Sequence, residues 1–78
     1  MTRRYRVTPT DGANVRALAD YASDKIDSLP RGTIIEGYEQ AGVAYAGDPL
    51  WVGRMATEGR HDKLAAGGFI WRKLLEYA

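Results

Sequence analysis

Glycine and proline interrupt this chain so often that no long helix fits between them. Nine glycines and three prolines are spread over 78 residues, and the apolar segments between them are short. Pro9-Thr10-Asp11-Gly12 reads as a turn, because proline fixes φ and glycine accepts positive φ. Pro30-Arg31-Gly32 reads as a second turn, with Pro30 suited to the first central position. Gly42 and Gly47, among small residues, mark 40–48 as a loop or widened hairpin tip. Short strands joined by such turns suit a small β-barrel.

The strand signals fall between these turns. Tyr5 to Thr8 alternates apolar and polar residues, and residues 1–4 before it read as a loose polar tail. Residues 33–38 form the clearest strand, rich in β-branched side chains. Residues 49–55 form the next, with Pro49 tolerated at its start. Gly68-Phe69-Ile70-Trp71 is a last clear strand, and Leu74-Leu75 closes the barrel from a 3₁₀ turn or a further strand. Residues 57–67 read as a polar loop with one helical turn over 62–66. Residues 13–18 stay open. Val15, Leu18, Ala19 and Ala22 fit helical spacing, while Val15, Ala17 and Ala19 fit a strand equally well. The competing architecture is an α+β domain with helices at 12–22 and 70–77, since Ile70, Leu74 and Tyr77 share a helical face.

A chain of 78 residues makes a single domain spanning 1–78, and one this small buries roughly 60% of its unfolded surface. It has no cysteine, so its core rests on aliphatic and aromatic packing. Eleven basic residues face ten acidic ones, for a net charge of +1. Such balance disfavours a nucleic-acid or membrane surface as partner. The local clusters Arg3-Arg4-Arg6, Arg60-His61-Lys63 and Arg72-Lys73 could read phosphate or teichoic acid. Acidic neighbours make them solvated surface instead. No stretch approaches the roughly 20 apolar residues of a membrane span. No apolar segment follows the basic N-terminus, so a signal peptide is not expected.

Catalytic and metal chemistry lacks its parts. His61 is the only histidine, Ser23 and Ser28 are the only serines, and no nucleophile-turn context surrounds either. His61 and Asp62 are adjacent, which rarely chelates one ion. Gly67-Gly68 opens a strand-like run rather than a phosphate-binding helix. We therefore expect no enzyme activity, no cofactor and no metal.

The aromatic residues are the better lead. Tyr5, Tyr21, Tyr38, Tyr45, Trp51, Phe69, Trp71 and Tyr77 include two tryptophans in a very small domain. Tyrosine and tryptophan combine a large apolar body with a polar tip, which suits peptides and sugars. Phe69 and Trp71 share one strand face and Ile70 takes the other; which face is core stays open. Tyr5, Tyr38 and Phe69 are expected in the core, and Tyr21 and Tyr45, on loops, are expected to be exposed. If 13–16 is a strand, Val15 faces the core while Asn14 and Arg16 point away. Asn14 then fixes neighbouring backbone. Arg16 either pairs with Asp20 or Asp24 or meets a ligand at a groove rim.

The order of these pieces resembles a bacterial SH3-like (SH3b) domain. The resemblance rests on Tyr5-x-Val7-Thr8, Gly12-x-Asn14-Val15-Arg16, Ile26-x-x-Leu29-Pro30-Arg31-Gly32-Thr33, Trp51-Val52, Gly68-Phe69-Ile70 and Leu74-Leu75. It covers roughly 4–75. It implies an all-β fold, a small SH3-like barrel of five to seven short strands, of the kind attached to peptidoglycan hydrolases and phage endolysins. It further implies a non-catalytic module that holds a fused catalytic domain on the cell wall, outside the cell or released at lysis. The implied ligand is a peptidoglycan peptide or wall polymer, in a groove between the loop holding Tyr21 and the segment from Tyr45 to Trp51. With Arg16 and Trp71, the candidate ligand-binding set is Arg16, Tyr21, Tyr45, Trp51 and Trp71. The chain departs from the family pattern in a longer 41–49, an extended 57–67 and Trp71 where a small polar residue is common.

The alternative to a wall-binding module is a structural or protein-interaction domain, such as a phage virion component. That reading predicts self-association or partner binding and no affinity for walls. Nucleic-acid binding is a third, weaker reading, which would require binding that falls steeply with salt.

Overall fold

A computed structural model describes residues 2–55 and 67–78. The strands are β1 Arg3–Val7, β2 Ala13–Arg16, β3 Lys25–Leu29, β4 Ile34–Tyr45, β5 Asp48–Arg54, β6 Phe69–Trp71 and β7 Leu75–Tyr77. They form one antiparallel sheet, ordered β3-β2-β6-β5-β4-β1-β7 and curled into a half-barrel. The fold is therefore all-β, a small SH3-like barrel with the largest strand number expected. No α-helix occurs among the described residues, so the α+β alternative fails at both proposed helices. Residues 13–16 are strand, and at the other end a single 3₁₀ turn, Arg72–Leu74, leads into β7.

Alternation along each strand builds the core. Tyr5 and Val7, Ala13 and Val15, then Ile35, Val52, Ile70 and Leu75 all point into the curl and are buried. Leu29 and Leu74 pack against them. Val15 thus faces inward with Asn14 and Arg16 on the other side, as expected of a strand here.

Three turns account for the tight connections, the first being the expected Pro9–Gly12 turn, closed by Gly12 N–H donating to Pro9 O at 2.9 Å with Gly12 at φ +82°. Thr33 N–H donates to Pro30 O at 3.2 Å with Gly32 at φ +89°, so Arg31 and Gly32 are the central pair, one position later than expected. Ala46 and Gly47 both have positive φ between Tyr45 and Asp48, the pattern of a two-residue hairpin turn whose twist matches the flanking strands. Residues 40–48 are therefore the hairpin tip, the second of the two expected alternatives, strand on both sides of Ala46-Gly47 with a register irregularity between Ala41 and Tyr45.

Residues 3 and 4 are not a loose tail. Arg3 and Arg4 pair with Gly37 and Glu36, and Thr2 Oγ1 donates to Glu36 Oε2 at 2.9 Å. The polar composition misled because these strand bonds use backbone, which composition does not report. The polar loop expected after residue 56, its helical turn over 62–66 and His61 lie outside the described residues.

Candidate ligand-binding face

The two sides of β5 carry different chemistry. Val52 belongs to the core inside the curl, so Trp51 and Gly53 point to the outer face. Cross-strand partners share a face, and the register places Trp71 beside Trp51, Phe69 beside Gly53, and Arg16 beside Phe69. On the other flank Tyr38 lies beside Gly53 and Gln40 beside Trp51. A Cβ on Gly53 would sit 2.6 Å from the Tyr38 ring, so glycine there lets the ring lie flat on the sheet. Tyr38 and Phe69, expected in the core, are instead half-buried on this outer face. Gly53 between them supplies the room.

Residues 17–24 fold over this face. Asp20 Oδ1 accepts from Ala22 N–H at 2.8 Å, and Ser23 Oγ donates to Asp20 O at 2.7 Å. Ser23 Oγ also accepts from Leu18 N–H at 3.1 Å. Ala17 N–H donates to Asp24 O at 2.8 Å. These side chains satisfy backbone groups that no sheet partner reaches. The loop is then fastened to the β4–β5 hairpin by Val43 N–H donating to Ala19 O at 2.9 Å. Gly42 permits this contact, because a Cβ there would lie 2.6 Å from Ala19 O and 2.8 Å from Trp51 Cδ1.

The result brings all of Arg16, Tyr21, Tyr45, Trp51 and Trp71 together. The Tyr21 ring centroid lies 3.8 Å from that of Tyr45, 5.5 Å from Trp51 and 6.1 Å from Trp71. Tyr45 meets Trp71 edge-on at 4.9 Å. The Arg16 guanidinium lies over the Tyr21 ring at 4.6 Å. Both indoles are anchored: Trp51 Nε1 donates to Val43 O at 2.8 Å and Trp71 Nε1 to Asp48 O at 3.2 Å. Burial pushes the Tyr21 hydroxyl pKa upward, and Tyr45 adds to the rise against the opposing pull of Arg16.

The members differ in exposure. Trp51 is 0% exposed, so it forms the floor of the cluster and offers a ligand no free face. It is buried because the 17–24 loop and the hairpin close over it, a packing arrangement invisible in a Trp-Val pair. Tyr45 is 43% exposed, while Tyr21 and Trp71 are half-buried. Leu18, in the covering loop, and Val43, whose carbonyl takes the Trp51 indole N–H, are 61% and 54% exposed. Sequence reasoning passed over both, since a single exposed aliphatic side chain carries no pattern.

Arg16 does not pair with Asp20 or Asp24. It makes no ion pair among the described residues; Nη1 donates to Ser23 O at 3.5 Å, and Nε is buried without a partner. Asp20, one of the two acids expected to neutralise it, is turned to the loop's own backbone.

A second aromatic group lies where β1, β4 and β7 meet. Tyr77 stacks beside Tyr5 at 5.5 Å, with Arg3 over the Tyr77 ring at 4.3 Å and Arg72 at 4.7 Å. Arg72 Nε donates to Glu39 Oε2 at 2.9 Å, and the Tyr77 hydroxyl donates to the same oxygen at 3.1 Å. The hydrogen bond from Arg72 holds the Glu39 carboxyl below the usual range. The buried Tyr5 hydroxyl has no hydrogen bond of ordinary geometry; burial raises its pKa, and the nearby Glu39 charge raises it further. Among the described residues no cluster of three His, Cys, Asp or Glu side chains suits a metal ion.

Compared with protein-family models, curated proteins and solved structures, the chain matches none of them.

Proposed function

We propose that this chain is a non-catalytic binding module that attaches a bacterial or phage lysin to the cell wall, gripping a peptidoglycan peptide or wall polymer. The observation that carries the reading is the gathering of Arg16, Tyr21, Tyr45 and Trp71 over the buried Trp51. Held indoles and phenols present apolar surface at low entropic cost, which suits the flat faces of peptides and sugars. The exposed Val43, whose carbonyl holds the Trp51 indole, adjoins that surface. In this reading the module works beside a catalytic domain, outside the cell or in the lysed culture.

The test is sedimentation of the purified domain with isolated cell walls, beside Tyr45→Ala and Trp71→Ala. Wild-type protein should pellet, and each variant should bind at least about tenfold more weakly while still melting cooperatively. Absence of pelleting across Gram-positive walls would sink the reading.

One observation favours the second reading, a protein-interaction domain. β3 ends the sheet, and residues 25–28 of it are exposed. An unpaired edge can accept a strand from a partner. Concentration-dependent self-association without wall affinity would select it.

A further inference from the structure

The outer-face cluster holds positive charge that no ion pair balances among the described residues. Arg16 on β2 and Lys25 on β3 are direct cross-strand partners. Like charges placed opposite one another in a sheet repel, and here the pair adjoins a register irregularity between Val15 and Arg16. Neither makes an ion pair among the described residues. Arg54, which reaches the same strand, is neutralised by Asp27 at 3.0 Å. Asp20 is committed to Ala22 N–H. The Arg16 guanidinium is also short of acceptors, with a long bond to Ser23 O and its Nε buried and unpaired. A buried donor on a charged group with no acceptor is rare enough in folded proteins to need an explanation.

We infer that Arg16 and Lys25 bind a carboxylate of the ligand, and that the ligand is a wall peptide carrying a free carboxylate beside a short apolar residue. This rests on the wall-binding reading above. The guanidinium fork matches the two oxygens of a carboxylate, and its outer nitrogens meet them first because Nε is shielded. The stacking of Arg16 on Tyr21 holds the fork in place. The carbon chain bearing the carboxylate then runs onto the rings of Tyr21, Tyr45 and Trp71. A phosphate-linked polymer would need cations repeated along its length, whereas Arg16 and Lys25 are a single cross-strand pair at the edge of the aromatic cluster.

The experiment uses three preparations of one cell wall: untreated, acid-extracted to remove secondary polymers, and amidated with carbodiimide and an amine to neutralise carboxylates. The wild-type domain, Arg16→Gln and Lys25→Gln are pelleted with each. The inference expects wild-type binding to survive acid extraction and to weaken about tenfold or more on amidation, the scale of a lost charge-assisted pair. Arg16→Gln should lose a similar factor on untreated walls and little more on amidated ones. Lys25→Gln, changed on an exposed edge strand, should show the same pattern with a smaller factor, and it decides the matter if Arg16→Gln melts early. Binding indifferent to amidation, or lost on acid extraction, overturns the carboxylate assignment and leaves the wall-binding module standing. Failure of the wild-type domain to pellet with untreated walls overturns both.

Discussion

Two arginines lie over tyrosine rings at almost the same distance, Arg16 over Tyr21 at 4.6 Å and Arg72 over Tyr77 at 4.7 Å. Their surroundings differ in one respect. Arg72 has an acid: it reaches Glu39 at 2.9 Å, its Nη1 reaches Leu75 O at 2.7 Å, and Glu39 also takes the Tyr77 hydroxyl. Among the described residues Arg16 has no acid, only a marginal contact to Ser23 O, an unpaired Nε and a lysine across the strand pair. The same cation-on-ring arrangement is thus closed at one place and open at the other. A charge balanced inside the chain fastens the strands that supply it. One without an acid among the described residues, at a partly exposed aromatic surface, is on the proposal above the one that meets a ligand's charge.

The strongest challenge to this comparison is to ask whether the open cluster is a structural unit at all. Trp51→Ala should cost about 3–5 kcal/mol, as expected for truncating a buried tryptophan. It would leave Val43 O without the indole N–H and the 17–24 loop without its floor. Urea unfolding measures this. A loss under about 1 kcal/mol would mean that the outer face adds little to a fold held by the inner core.

Gly42→Ala probes the seam between loop and hairpin. Its new Cβ would meet Ala19 backbone and the edge of Trp51, and overpacking of this kind costs about 1–3 kcal/mol. The Tyr21–Tyr45 contact at 3.8 Å depends on the same seam. Wall binding should therefore fall in this variant although residue 42 presents no side chain to a ligand. Unchanged stability and binding together would show that the loop is held otherwise than by this close approach.

For the closed circuit, Arg72→Gln should cost about 1 kcal/mol, since the pair with Glu39 is only partly shielded from water. The acid dependence has a definite sign. The folded-state pKa of Glu39 lies below its ordinary value of 4.5, chiefly through the Arg72 hydrogen bond and helped by Tyr77 against burial. A depressed carboxylate contributes stability that is complete above 4.5 and lost as pH falls through the folded value. Wild type should therefore be the more stable protein at neutral pH, and the two unfolding midpoints should converge below 4.5. Asp27, lowered by Ser28 N–H and then by Arg54, titrates in both proteins and cancels. A gap between them that persists at low pH would place the arginine's contribution in its stacking or in Leu75 O.

Strands β1, β5 and β6 were legible because alternation and turn residues agree at each, whereas β2 stayed open between helix and strand, β3 was not read as a strand and β4 was read only as far as residue 38. Which face is core was less so. The run Leu50-Trp51-Val52 is apolar on both sides, and only the register shows Val52 in the curl and Trp51 outside it. Tyr38 and Phe69 were misplaced for the same reason, since a glycine between two aromatics is a cross-strand relation. The candidate site was legible as a set of loop and strand aromatics, and the fold brings that set together. Its chemistry was not. Asp20 looked like a partner for Arg16, but an aspartate that closes its own turn is no longer available. The circuit of Glu39, Arg72 and Tyr77 joins residues 33 and 38 positions apart, a separation at which no local pattern signals contact.

The smallest expected effect is the most informative. Arg16→Gln should leave stability within about 0.5 kcal/mol of wild type, because relief of the repulsion from Lys25 offsets the loss of the guanidinium on the Tyr21 ring and no ion pair among the described residues is given up. Glutamine keeps a polar tip for Ser23 O and can still lie along the Tyr21 ring. Thermal melts at low and moderate salt separate the contributions. Wild type should gain more than the variant as salt rises, since screening relieves a like-charge pair that only wild type has. The opposite result, a clear loss of stability in Arg16→Gln comparable with that in Arg72→Gln, would make the two arginines equivalent fasteners. If stability holds while wall binding falls, the two functions of an arginine on a tyrosine ring are separated within one sheet: residue 72 maintains the fold and residue 16 serves the ligand.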